Sequence, residues 1–139
     1  EFNVRMGDPE CQTILPILDT DLAEIILACC NKKLQNIDIK WKNKKSVCIV
    51  LCSNGYPDSY KKNIIINGLK NLKIDRNEYI FHAGTVIKDD KYLAIGGRVL
   101  NVIVTTENFK NSKDKAIKIL NDLDWKDGFF RKDIAYKVT

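Results

Sequence analysis

What this chain lacks narrows it before what it contains. None of its 139 residues fall in an apolar run approaching the roughly 18–20 residues that a membrane-spanning helix needs. Its opening, with Glu1, Asn3 and Arg5, is the wrong composition for a secretory leader. It has one histidine, His82, and no Cys-x-x-Cys pair, which argues against a structural zinc site. Its cysteines number five, an odd count, with Cys29 and Cys30 adjacent and Cys48 and Cys52 inside an apolar run. A disulfide framework is therefore not expected, and reduced, buried thiols of a cytoplasmic protein fit better. Internal repeats and low-complexity segments are missing too. Strong charge of one sign is also absent, since the formal net charge is only +5 and the lysines are spread along the chain. The longest basic cluster is KWKNKK, residues 40 to 45. It reads as a solvated loop or as a nucleic-acid patch, and the aromatics form no obvious stacking surface beside it. Neither nucleic acid nor membrane is expected as a partner.

What is present is the composition of a globular protein, 45% hydrophobic and 29% charged. The length allows one domain, or one domain with a fragment of another. EFNVR alternates, placing Phe2 and Val4 on one strand face and Glu1, Asn3 and Arg5 on the other. A sheet needs neighbouring strands, so the protein is expected to begin further upstream. MGDPE is a turn, and CQTILPIL a short helical stretch limited by Pro16. Asp19, Thr20 and Asp21 offer N-caps for a helix through about Cys30, with Leu22, Ile25, Ile26 and Cys29 as its apolar stripe. Residues 31–45 read as a linker with a short strand near 37–41, and a boundary between two units is expected near residues 31–36.

Beyond it, SVCIVLCS is a buried strand and SNGYPDSY a loop, while the segment 64–72 is ambiguous. EYIFHAG is a strand, TVIKDDKYLAI a hairpin turning at Asp89-Asp90, and RVLNVIVTTE another strand after Gly96-Gly97. Asn111 or Ser112 caps a helix whose stripe is Ala116, Ile119, Leu120 and Leu123, and FFRKDIAYKV closes the chain as a last strand. The order is β-rich with one long helix late, which predicts an α+β fold rather than a doubly wound sheet.

Several groups have the chemistry for a site. Glu1 and Asn3 are oxygen ligands spaced for one hard cation such as Mg²⁺, and Arg5 follows on the same face, where a guanidinium contacts phosphate. The plainer alternative is a solvated strand face. Gly55 in SNGYP either lets backbone approach a ligand or makes an ordinary turn. In GGR, two glycines open space around Arg98, and RKD supplies Arg131 and Lys132. The three basic groups would together grip a phosphate, or they are surface charge with Asp133 as a partner. His82 reads as a hydrogen-bonded structural residue rather than a catalyst.

Taken in order, EFNVRMGDPE, VCIVLCSNGYPDSY, FHAGT, GGRVLNV and FFRKDIAY resemble the C-terminal part of the phosphoribosylamine–glycine ligase (glycinamide ribonucleotide synthetase) family of the ATP-grasp superfamily, over essentially all of the chain. The resemblance implies that residues 1–34 end an ATP-grasp domain and residues 35–139 form a small, mostly antiparallel C-terminal domain. It implies an ADP-forming ligase of purine synthesis about three times this length. That enzyme would join glycine to 5-phosphoribosylamine through a glycyl phosphate, with ATP as co-substrate. In the family pattern Glu1 and Asn3 bind the Mg²⁺ or Mn²⁺ that bridges the ATP phosphates, and Arg5 stabilises the transferring phosphoryl group. Asp8 would orient an amine of glycine or phosphoribosylamine, and Arg98, Arg131 and Lys132 would suit the ribose phosphate or acyl phosphate. Two positions depart from the pattern: Met6 replaces a usual aromatic, and Ala135 a usual glycine. With the N-terminal substrate domain and most of the ATP site missing, the fragment alone is expected to be inactive. Another ATP-grasp carboxylate–amine ligase, or a non-catalytic basic α+β binding module, are the alternatives.

Overall fold

The computed structural model describes residues 4–139. Glu1, Asn3 and most of the expected EFNVR strand lie outside the described residues. Within them, Val4 and Arg5 form a bend, and Val4 is fully exposed rather than packed. A strand face is buried only by a neighbour, and no strand among the described residues pairs with this segment.

Three helices and seven strands are found among the described residues. In chain order they are α1 (Glu10–Ile14), α2 (Leu22–Cys30), β1 (Lys45–Ser53), β2 (Ile64–Ile65), β3 (Glu78–His82), β4 (Thr85–Lys88), β5 (Lys91–Ala94), β6 (Arg98–Thr106), α3 (Phe109–Leu123) and β7 (Gly128–Phe129). One sheet has the order β3-β6-β1-β7, and a smaller one the order β2-β5-β4. All pairings are antiparallel, from Lys45 opposite Thr106 to Cys52 opposite Arg98 along the β1–β6 seam. The α+β expectation holds.

The two central strands are buried on both faces because each face has a cover. Val47, Ile49 and Leu51 of β1 join Leu100, Val102 and Val104 of β6 in a core closed by Ala116, Ile119, Leu120 and Leu123 of α3. The stripe read from the sequence is the stripe that packs. The opposite face, with Cys48, Val50 and Ile103, lies under α1 and the 3-10 turn Leu15–Ile17 that Pro16 opens. The turn between β4 and β5 falls on Asp89 and Asp90 as expected. Both take positive φ, 48° and 59°, the conformation that a two-residue hairpin loop requires.

Four expectations are corrected. The cap of α3 is Asn108, not Asn111 or Ser112: its side-chain oxygen accepts from the Asn111 N–H at 2.8 Å. Ser112 is turned inward instead. Its hydroxyl donates to the Lys45 carbonyl at 2.7 Å and accepts from the Thr106 N–H at 3.0 Å, tying helix to both central strands. The last strand stops at Phe129, and residues 132–138 fold into turns. The Tyr136 N–H reaches back to the Asp133 carbonyl, and Ala135 sits at φ 62°, where an extended run cannot continue.

Helix α2 starts on Asp21, whose carboxylate accepts from the Ala23 and Glu24 N–H groups. Its expected buried stripe is not buried. Of its four residues, Leu22, Ile26 and Cys29 are exposed and Ile25 is half-buried; Leu27 and Cys30 are exposed too, and Ala28 is the one buried residue of the helix. The reason is the lack of a covering layer: the chief neighbour of α2 among the described residues is the short 3-10 turn Leu34–Asn36. Finally, the strand expected near 37–41 reduces to a single bridge between Leu18 and Trp41. Hydrogen bonds from the Asp19 and Thr20 N–H groups to the Lys40 carbonyl tie the two sides of residues 31–36 together.

Candidate functional site

Two of the expected site residues, Asp8 and Arg98, meet at one end of the larger sheet, where β1, β6 and β7 come together. Cys52 stands opposite Arg98 on one side and Phe129 on the other. Arg98 is the first residue of β6, and three loops hold it there. The Gly84 N–H donates to the Arg98 carbonyl at 2.9 Å, and Ala83 to Val99 at 3.0 Å. Ser53 donates from its backbone to the Gly97 carbonyl and from its hydroxyl to the Gly96 carbonyl. A Cβ on Gly84 would lie 2.6 Å from the Gly96 Cα, and one on Gly97 2.1 Å from the Tyr56 ring. The motifs SNGYP, HAGT and GGR are thus three sides of one tight junction.

This revises the reading of GGR. The space that its glycines leave is filled by Tyr56 and Gly84 and is not open around Arg98. Gly55 makes an ordinary turn: at φ +97°, its close approach is to the carbonyl of Ser59. His82 keeps the structural role expected of it. Its Nδ1 is 2.8 Å from the Thr85 hydroxyl and its ring stacks on Tyr92 at 5.4 Å.

Arg98 meets Asp8 of the GDP turn. Its Nη2 is 3.0 Å from Asp8 Oδ2, and its Nη1 donates to the Asp8 carbonyl at 3.4 Å. The other carboxylate oxygen of Asp8 accepts from Gln12 Nε2 at 2.7 Å. The ion pair is half-exposed, so it adds little to stability, but it fixes the orientation of a carboxylate. Gln12 is a residue that the sequence reading missed; its spacing of four from Asp8, across a turn into a helix, was the available signal.

The remaining basic groups do not join this pair. Arg131 grips Asp133, with Nε donating to Oδ1 at 2.9 Å, which raises the Arg131 pKa and lowers that of Asp133. Lys132 lines a different groove, beside Leu120, Trp125 and Phe130 at the end of α3. Arg5 is exposed and donates to the Met6 carbonyl. Glu1 and Asn3 lie outside the described residues, and no group of three or more His, Cys, Asp or Glu suited to a metal occurs among the described ones. In the KWKNKK loop, Lys42 donates to the Pro16 carbonyl and Lys44 pairs with Glu107, which supports the solvated-loop reading.

The five thiols are free. Burial pushes Cys48 from 9.0 to about 11, opposed by a hydrogen bond with Thr13, and also raises Cys52 against the pull of Arg98. Neither is a nucleophile at neutral pH.

An antiparallel α+β domain with one long helix and a carboxylate–guanidinium pair at its sheet end defines the class, and comparison with known proteins places it. Residues 46–137 match the family described as Phosphoribosylglycinamide synthetase, C domain, and the chain belongs to that family. Over 135 residues it is 42% identical to the phosphoribosylamine–glycine ligase of Caldanaerobacter subterraneus subsp. tengcongensis, covering 97% of this chain and 32% of that protein. It is 42% identical over 139 residues to the trifunctional purine biosynthetic protein adenosine-3 of Gallus gallus, covering 99% of this chain and 14% of that protein. The crystal structure of phosphoribosylamine–glycine ligase from Thermotoga maritima superposes with a TM-score of 0.72 at 28% identity, over 97% of this chain and 32% of that one. The chain therefore spans about a third of the length of the stand-alone ligases it matches. No helix among the described residues is long and apolar enough to cross a membrane.

Proposed function

We propose that this chain is the C-terminal part of a longer ATP-dependent ligase that joins glycine to 5-phosphoribosylamine, giving glycinamide ribonucleotide, ADP and phosphate. The observation that carries the reading is the similarity, along essentially the whole chain, to relatives bearing that ligase name. In the reaction, the glycine carboxylate takes the terminal phosphoryl group of ATP and ADP leaves. The amine of phosphoribosylamine then attacks the acyl phosphate, and phosphate is expelled. Residues 1–34 would complete an ATP-grasp domain, residues 35–139 would be the C-terminal domain, and the enzyme would work in the cytoplasm.

The roles rest on the family resemblance and on the charge of each group. Glu1 and Asn3, a carboxylate and an amide oxygen, are a donor set that fits Mg²⁺ or Mn²⁺, which when bound neutralises nucleotide phosphate charge. Arg5 would stabilise the transferring phosphoryl group. Asp8, which Arg98 and Gln12 orient, would hold an ammonium or amine. Arg98, Arg131 and Lys132 would serve the ribose phosphate or acyl phosphate, which for Arg131 requires leaving Asp133.

The test is ADP release by the longer protein with Mg²⁺-ATP and freshly generated phosphoribosylamine, with and without glycine. Release that needs both co-substrates is expected, with none from the 139 residues alone. Release with a different acid or amine would keep the ligase and discard these substrates. Turnover by the isolated chain would overturn the domain assignment.

A further inference from the structure

A groove of about 650 Å³ is lined by α1 with its following turn and by the β3 edge of the larger sheet. Leu15 and Pro16 form one wall, and Tyr79 and Phe81, a tilted ring pair 5.9 Å apart, the other. Its size and apolar, aromatic lining are those of a small-molecule site.

Two amides make it more than a gap. Asn101, in the middle of β6, is 2% exposed and stands opposite Phe81, so its side chain shares the groove face. It makes no side-chain hydrogen bond to a described residue. Gln12 borders the same groove. Its Nε2 is held by Asp8, and its Oε1 is buried without a partner among the described residues. Buried amides in native proteins are paired, so the unpartnered Gln12 oxygen on this cavity calls for a donor.

We infer that this groove binds an adenine nucleoside. Stacking suits a planar heteroaromatic ring between Pro16 and the Tyr79–Phe81 pair. Asn101 offers a donor and an acceptor side by side, the pattern by which asparagine reads the exocyclic amine and adjacent ring nitrogen of adenine. Gln12 Oε1 wants a donor, which the same amine supplies. No carboxylate among the described residues lines the groove, and Lys42, which does, tolerates a sugar bearing phosphate. The groove shares Gln12 with the Asp8–Arg98 pair, but adenosine binding is measured without the ligase reaction, so its test does not depend on that reading.

The probe is adenosine, titrated into the isotope-labelled 139-residue chain and into the longer protein, read by amide chemical shifts and by calorimetry. Shifts at Tyr79, Phe81, Ala83 and Asn101 are expected in both. Asn101→Leu keeps the volume and suits a strand, so it should fold, and it should weaken binding about tenfold. N6,N6-dimethyladenosine, lacking the donor hydrogens, should weaken by a similar factor. Tyr79→Ala, on the edge strand, serves as a second variant that removes stacking. The proposal falls if millimolar adenosine leaves these residues unmoved. It also falls if both variants bind as the parent does, or if the longer protein excludes the ligand because its remaining chain packs into the groove.

Discussion

Two nine-residue segments, KSVCIVLCS of β1 and LAEIILACC of α2, are alike in composition and opposite in fate. The strand is buried nearly throughout, whereas the helix leaves Leu22, Ile26 and Leu27 exposed. The difference lies in where the backbone hydrogen bonds go. A strand cannot satisfy its N–H and C=O groups alone, so β1 exists only between β6 and β7, and those neighbours bring covering layers with them. A helix closes its own bonds and can stand without a cover. Apolar content therefore told what each segment becomes, but not what lies on top of it.

Truncation gives the largest contrast. Ile49→Ala, at a fully buried position, should cost about 3 kcal/mol in chemical denaturation, while Leu27→Ala should stay within about 0.5 kcal/mol. Equal losses would mean that α2 is covered in solution. Next in size is the alkaline limb. The Cys48 thiol ionises near 9 when unfolded but at about 11 when folded. Between those values the unfolded chain releases a proton that the folded chain keeps, so stability falls as pH rises, by up to roughly 3 kcal/mol. Cys48→Ala should flatten that slope; an unchanged slope would place the titration elsewhere.

The caps sharpen the comparison further. Asn108→Ala should lower global stability by about 1 kcal/mol, because α3 is part of the core. Asp21→Ala should instead speed hydrogen exchange at the start of α2 and leave the melting temperature in place. A global shift from Asp21→Ala would join α2 to the cooperative unit. The smallest effect concerns Ala135, at φ 62°. Relief of that strain is worth about 1–2 kcal/mol, and the greater freedom of an unfolded glycine takes back roughly half. Because Ala135 also packs against the core, Ala135→Gly should stabilise by less than about 1 kcal/mol, and a destabilisation would show that packing of the methyl outweighs its strain.

Much of the fold was legible because its signals are local. The apolar runs of β1 and β6, the Asp89-Asp90 turn and the four-residue stripe of α3 each follow from period and turn chemistry. Asn108 was missed because three polar residues, Asn108, Asn111 and Ser112, precede the stripe, and only tertiary contact decides which caps and which turns inward to Lys45. The last strand was misread because FFRKDIAYKV has strand-like residues, while the Arg131–Asp133 pair and the positive φ at Ala135 bend it away. That turn also gives a physical reason for the glycine that the family pattern places there. At the site, the sequence offered Asp8 and Arg98 separately. Their meeting depends on the junction of three glycine-bearing loops, which no spacing along the chain reveals.

The strand order β3-β6-β1-β7 has a consequence for how the chain is made. The central strand is synthesised first, and the residues that flank it come much later: Arg98–Thr106 on one side and Gly128–Phe129 on the other. Until β6 emerges, β1 is an apolar ribbon with both edges open, the arrangement most prone to wrong pairing. Ser112 then locks the far end of that ribbon to β6 and α3 in one step, so closure of the domain waits until α3 has been made. A ribosome pausing before that point would hold an adhesive intermediate, and chaperone demand during translation should peak there.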